Sequence, residues 1–215
     1  MNEQLIRVLL VDDHSIVREG IRRILEDSQL IEIVGEAADG LDATQKAERL
    51  KPDVVLMDLS MPGMSGLDAV GRIHVLSPET HILVLTMHDN TQYAVHVLHA
   101  GASGFILKHS AGGDLLKAIR TVHAGKMYVA EEMAEKLMAR YSKPRGRAPI
   151  IDSLSGREFE VFTLLGGGST VREAAHRMGL SERTVSTYRA RILEKLQLRN
   201  NAEIIRLALE SGIIK

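Results

Sequence analysis

Five strand-like runs alternate with helical patterns through the first part of this chain, and that alternation constrains the fold more than any other feature. The runs are Ile6–Val11, Ile31–Ala38, Val54–Met57, His81–Thr86 and Ser103–Leu107. The first and third are almost continuously apolar and too short for a helix, as expected of parallel strands buried on both faces. Helical periodicity fills the stretches near 15–27, 40–50, 65–76, 90–100 and 112–124. Five βα units in series predict an α/β fold, a doubly wound five-stranded parallel sheet with helices on both faces. Right-handed crossovers then bring the ends of the first and third strands together.

Three carboxylates stand at those two ends. Asp12 and Asp13 follow the first strand, and Asp58 follows Val54-Val55-Leu56-Met57. In α/β sheets the carboxyl ends of the strands carry the site. Three like charges there repel one another unless a cation joins them. An oxygen-only ligand set suits Mg²⁺, which keeps several waters and meets phosphate oxygens readily. Thr86 ends the fourth strand and Lys108 follows the fifth, at the same edge. A hydroxyl can donate to a phosphoryl oxygen, and an ammonium can pair first with carboxylate and then with phosphate. Asp58 is the best-placed nucleophile, since a carboxylate can attack phosphorus and form an acyl phosphate.

The second half has a different character. Residues 1–142 hold 14 Lys and Arg against 20 Asp and Glu, whereas 143–215 hold 13 against 8. An acidic front and a basic back imply two domains with different partners, the basic one a candidate for nucleic acid. The boundaries are a first domain over 1–125, a linker over 126–151 and a helical domain over 152–215. Glu131–Tyr141 reads as a short helix, and residues 142–149, with two prolines, a glycine and three cations, read as linker. Ser155 with Glu158 forms a capping-box pattern. Gly166-Gly167-Gly168 ends that helix, Gly179 ends the next, and Ser181 caps the third, near Glu182–Leu196. A fourth spans about Asn201–Glu210.

Two helices joined by a glycine turn make a helix-turn-helix pattern, whose third helix fits the major groove. Val185, Ile192 and Leu196 form its packing face. Ser186, Thr187, Arg189 and Ala190 point elsewhere, and Arg183, Arg191 and Lys195 supply charge toward phosphates. Ser181 and Thr184, at the helix N-terminus, can donate to a phosphate where the helix dipole favours an anion.

Asp12-Asp13, Asp58 with Met61-Pro62-Gly63-Met64-Ser65-Gly66, Thr86 and Lys108 together resemble the signature of a bacterial response-regulator receiver domain, a flavodoxin-like fold, over about residues 5–125. The resemblance implies that Asp58 accepts phosphate from a sensor histidine kinase. It also implies that Mg²⁺ is held by Asp13, Asp58 and the backbone carbonyl of Ser60, with Asp12 acting partly through water. Phe105 matches the aromatic switch position, whose ring turns inward as Thr86 moves toward the phosphoryl group. Residues 154–161 and 180–189 resemble the LuxR-type DNA-binding domain, and the whole chain is similar to a NarL/FixJ-type regulator. By that resemblance Ser186, Thr187 and Ala190 read bases in double-stranded promoter half-sites. Thr184, Tyr188, Arg191 and Lys195 lie near the backbone. Ala202, Ile205 and Leu209 are dimer contacts of a homodimer formed on activation.

The sequence departs from that family at several positions. Many members carry Lys where Ser186 stands and His where Tyr188 stands, Ala174 replaces a common Ile, and Gly166–Gly168 is unusually rich in glycine. Ser186 cannot make a bidentate guanine contact of the Arg or Lys kind. A receiver that works by protein contact, with a C-terminal domain too altered to bind DNA, therefore stays open. An Asp-nucleophile phosphatase is the other alternative. Such enzymes commonly need a second acid two residues beyond the nucleophile, where this chain has Ser60. The expectation is a regulator rather than an enzyme, limited to self-phosphorylation from a phosphodonor and slow self-dephosphorylation.

Nine histidines are present, and His96 and His99 share one helical pattern downstream of His88 on what reads as an exposed face; no cysteine or acid completes a metal set. The absence of cysteine excludes disulfides and thiolate chemistry. No apolar run approaches a membrane span, and Met1-Asn2-Glu3-Gln4 leads directly into the first strand, so no signal peptide and a cytoplasmic location are expected.

Overall fold

The computed structural model describes residues 5–59, 61, 63–86, 91–108, 111–142 and 148–214. Two compact units divide the chain, Met1–Asp89 with Val97–Ala134 and Asn90–His96 with Glu135–Lys215.

The first unit is built on a parallel sheet of β1 (Ile6–Val11), β2 (Ile31–Ala37), β3 (Val54–Asp58), β4 (His81–Thr86), β5 (Gly104–Leu107) and β6 (Tyr128–Val129), in the order β2-β1-β3-β4-β5-β6. The strand count corrects the expectation of five. β6 has two residues, too few to show any periodicity, and it lies where the sequence reads as linker. It pairs with Gly104 and Phe105. A Cβ on Gly104 would stand 2.4 Å from the Tyr128 carbonyl oxygen, so this close pairing requires glycine.

The helices of this unit are α1 (Ser15–Glu26), α2 (Gly40–Leu50), α3 (Gly66–Leu76) and α5 (Ala111–His123); α4 is Thr91–His99. Strand residues alternate between two buried faces. Val8, Leu10, Val54, Leu56, Leu83, Leu85 and Ile106 pack with Ile21 and Leu25 of α1 and with Leu115, Ile119 and Val122 of α5. The intervening residues, among them Leu9, Val55, Met57, Ile82 and Val84, are buried as well. Both faces are therefore covered, which is why β3 carries no polar residue before its last position.

The second unit contains a 3-10 turn (Ala148–Ser153), α7 (Gly156–Gly166), α8 (Val171–Met178), α9 (Glu182–Lys195) and α10 (Asn201–Glu210), following α6 (Glu131–Ser142). Each start has a chemical cause. The Ser155–Glu158 capping box forms, and a second joins Thr170 and Glu173. Ser181 accepts from the Thr184 amide, and Asn200 from that of Glu203. Gly179 ends α8 with a φ of 63°, in the left-handed region. Phe159, Phe162, Val185, Ile192, Leu196 and Ile204 form the core, so the apolar face expected of α9 is buried. Gly166 accounts for part of the glycine run. A Cβ there would meet that of Ala208 at 2.6 Å, so α7 and α10 approach too closely for any other residue.

Candidate functional site

Register builds the acidic pocket. Val11 pairs with Met57, so the next residues of both strands, Asp12 and Asp58, emerge side by side. Asp58 pairs with Leu85, one residue before Thr86, and Thr86 pairs with Leu107, one residue before Lys108. Four residues, Asp12, Asp58, Thr86 and Lys108, thereby gather from four strand ends at one edge. Asp12 and Asp58 are each only 1% exposed. Two carboxylates this buried need compensation, and Lys108 supplies it. Its Nζ lies 2.7 Å from Asp12 Oδ2 and 2.9 Å from Asp58 Oδ2. Burial alone would lower the pKa of this ammonium. Hydrogen bonding and charge from Asp12 and Asp58 outweigh that, so Lys108 is held above its ordinary value.

Asp12 is tied down further. Its Oδ1 accepts the His14 amide at 2.9 Å, and its carbonyl accepts Arg18 Nη1 at 2.6 Å. The Arg18 Nε donates to Glu36 of β2 at 2.9 Å, and Arg22 also pairs with Glu36. Burial tends to raise the Glu36 pKa, but hydrogen bonds from the two guanidiniums hold the carboxyl below its usual range. This Arg18–Glu36 brace went unread in the sequence. The available signal was the four-residue spacing of Arg18 and Arg22, which puts both on one helix face.

The segment after Asp58 explains another motif. A Cβ on Gly66 would stand 2.3 Å from the Asp58 carbonyl oxygen and 2.5 Å from the Leu59 Cα. The start of α3 is pressed against the backbone that presents Asp58, and only glycine fits. Phe105 is buried in β5. Ser60 and Pro62, the expected carbonyl ligand and turn residue, lie outside the described residues, as does His88.

The donor set suits a hard divalent cation. Carboxylate oxygens of Asp12, Asp13 and Asp58 and a ring nitrogen of His14 all lie within 4.8 Å of one another. Asp13 Oδ1 is buried and receives no aligned hydrogen bond among the described residues, although His14 Nδ1 is an ion-pair distance of 2.8 Å away. An under-satisfied carboxylate oxygen facing two more carboxylates is what a Mg²⁺ site requires. The His96 and His99 alternative does not develop: His96 is buried, contrary to the exposed face expected, and neither belongs to a metal-ligating cluster among the described residues.

The second constellation is α9. Ser181, Arg183, Ser186, Thr187, Ala190 and Arg191 are exposed, and Thr184, Tyr188 and Arg189 are half-buried. The Ser181 hydroxyl is within 2.8 Å of the Thr184 hydroxyl, and Thr187 Oγ1 donates to the Arg183 carbonyl at 3.0 Å. Two cations have partners inside the unit. Arg189 donates from Nε to Asn201 Oδ1 at the start of α10. Lys195, 41% exposed, places Nζ 2.6 Å from Glu158 Oε2. Burial raises the Glu158 pKa, but Lys195 and the Ser155 amide more than reverse this and hold the carboxyl below its ordinary value. On α10, Ala202 and Leu209 are exposed and Ile205 is half-buried.

Comparison with known proteins bears on both constellations. The model for the response regulator receiver domain matches residues 8–120, and that for bacterial regulatory proteins of the luxR family matches 152–208. The response regulator UvrY of Escherichia coli (strain K12) is 39% identical over 209 residues, covering 97% of this chain and 96% of the relative. The response regulator GacA of Pseudomonas viridiflava is 37% identical over 210 residues, covering 98% of each. Among solved structures, RcsB from Salmonella enterica serovar Typhimurium, bound to promoter rprA in the presence of the phosphomimetic BeF3-, superposes with a TM-score of 0.69. That match has 30% identity and covers 94% of this chain and 98% of the other.

Proposed function

Because the chain belongs to the response-regulator family, with a receiver domain and a LuxR-type DNA-binding domain, we propose that it is a phosphorylation-dependent transcription regulator in which Asp58 is the phosphoacceptor. The observation that carries this reading is the convergence of Asp12, Asp58 and Lys108 on one buried point. A carboxylate oxygen of Asp58 attacks the phosphorus of a phosphohistidine on a sensor kinase. The O–P bond forms as the donor's P–N bond breaks, and the donor imidazole takes up the leaving electron pair. Lys108, released from part of its pairing with Asp58, binds a phosphoryl oxygen. Thr86 donates its hydroxyl to another, and Phe105 repacks in response. Asp13, Asp58 and the Ser60 carbonyl, with Asp12 through water, would hold Mg²⁺. When bound, the ion neutralises charge on the phosphoryl oxygens in the transition state. The same residues allow self-phosphorylation from a small phosphodonor and slow self-dephosphorylation by water.

The receiver is read as 1–125, with β6 extending its sheet just beyond that boundary, and the DNA-binding domain as 152–215. Ser186, Thr187 and Ala190 face the bases. Arg183 and Arg191, exposed, contact phosphates with Ser181, Thr184 and Tyr188. Arg189 and Lys195 reach the backbone only in competition with Asn201 and Glu158. Activated chains pair as a homodimer through Ala202, Ile205 and Leu209, so that two domains meet two half-sites. No helix among the described residues is long and apolar enough to cross a membrane, and a cytoplasmic location fits the kinase and DNA partners. The test is Asp58→Asn: the wild type takes up label from acetyl phosphate with Mg²⁺ and the variant takes up none. Equal labelling of both would refute the assignment.

A further inference from the structure

Three carboxylates account for the Mg²⁺ reading, but the pocket has a fourth donor of a different kind. We propose that His14 sets the metal selectivity of this site, adding an imidazole nitrogen to the carboxylates so that borderline divalent ions bind better than in an all-oxygen pocket. The inference rests on the reading of the acidic edge as a divalent-cation site.

His14 is the residue before α1, yet its side chain makes no capping hydrogen bond. Its Nδ1 instead turns back to the acids, 2.8 Å from Asp13 Oδ1 and 3.3 Å from Asp12 Oδ1. The Asp13 contact is not aligned as a hydrogen bond. Nitrogen and oxygens therefore share one small volume, with all donor atoms within 4.8 Å. The ring is 65% exposed, free to adjust around an ion from the solvent side. Mg²⁺ is satisfied by carboxylates, carbonyls and water and gains little from imidazole, whereas Ni²⁺ favours it. A nitrogen donor added to a carboxylate set thus acts on the ratio of the two affinities rather than on either alone.

The contrasting role for His14 is a plain ion pair, in which an imidazolium neutralises Asp12 and Asp13. The two roles predict opposite results for removal of the ring. As a ligand, its loss weakens Ni²⁺ and leaves Mg²⁺ nearly unchanged. As a counter-ion, its loss strengthens both together.

The experiment titrates the full chain with Mg²⁺ and with Ni²⁺ by calorimetry, counting only the Ni²⁺ that excess Mg²⁺ displaces, because other histidines can bind Ni²⁺ elsewhere. His14→Ala is compared with His14→Asn, which supplies a side chain able to cap α1 but no imidazole. Both should lose about tenfold or more in Ni²⁺ affinity, with Mg²⁺ binding retained and the circular dichroism spectrum preserved. An unchanged Ni²⁺ to Mg²⁺ ratio, or equal tightening of both ions, would overturn the role of His14. Failure of Mg²⁺ to bind the wild type, or binding indifferent to Asp13→Asn, would instead overturn the cation site itself.

Discussion

The acidic edge of the sheet and the exposed face of α9 both gather polar residues for a partner, but they hold them in opposite ways. Asp12, Asp58 and Thr86 are buried, and Lys108 is locked between two carboxylates. On α9, Arg183, Ser186, Ala190 and Arg191 stand in solvent. The first site is built before its substrate arrives, because charges taken out of water must already be paired. The second makes no such demand, since exposed charges cost little to leave unpaired. Geometry therefore says much about the phosphoryl chemistry and less about which bases are read.

The contrast is tested first at Lys108. Lys108→Ala leaves Asp12 and Asp58 facing each other without their cation. Phosphorylation by acetyl phosphate should fall by about 100-fold, while Mg²⁺, no longer competing with an ammonium, binds about 10-fold more tightly. Unchanged Mg²⁺ affinity in a calorimetric titration would mean that the ammonium does not govern the pocket's field.

Packing is tested next. Gly66→Ala puts a methyl against the backbone beneath Asp58. Urea unfolding should show a loss of about 1–3 kcal/mol, and the phosphorylation rate should fall with it. A stable variant phosphorylated at the wild-type rate would show that the α3 start does not position Asp58.

On α9 the expected effects are smaller and divide by residue. Lys195→Met leaves Glu158 buried without its cation, at a cost of about 1–3 kcal/mol near neutral pH. The sign with pH follows from the depressed Glu158 pKa. That carboxyl's contribution is fully present above its unfolded value of about 4.3, and it is lost as pH falls through the lower folded value. The wild type should therefore lose this contribution as pH falls below about 4.3, Lys195→Met should lose less, and the gap between them should close in strong acid. Arg191→Ala should leave stability unchanged and reduce the salt slope of DNA binding by about 0.9. If Lys195→Met lowered the slope as much and cost no stability, the division of labour on α9 would be wrong.

Most of what places the phosphoryl site was readable beforehand, because it depends on local signals. Apolar runs mark β1 and β3, and strand-end position alone locates Asp12, Asp58, Thr86 and Lys108. Capping chemistry at Ser155 and the left-handed turn at Gly179 were equally visible. What escaped depends on long-range approach. Lys195 meets Glu158 from 37 residues away, and Arg18 meets Glu36 only once α1 packs beside β2. β6 is too short to leave a pattern, and the burial of His96 follows from packing that periodicity does not describe. The close contact of Gly166 with Ala208 turns an odd glycine run into a packing requirement, though only after α7 and α10 are placed.

The central claim is that the state of Asp58 controls DNA binding by the C-terminal domain. Its most direct test is a titration of genomic DNA fragments with the full chain, with and without beryllofluoride plus Mg²⁺, for the wild type and Asp58→Asn. The account predicts tighter, sequence-selective binding of the wild type with the mimic and no response from Asp58→Asn. A wild type whose selective binding ignores the mimic, or an Asp58→Asn variant that responds to it, would contradict the account.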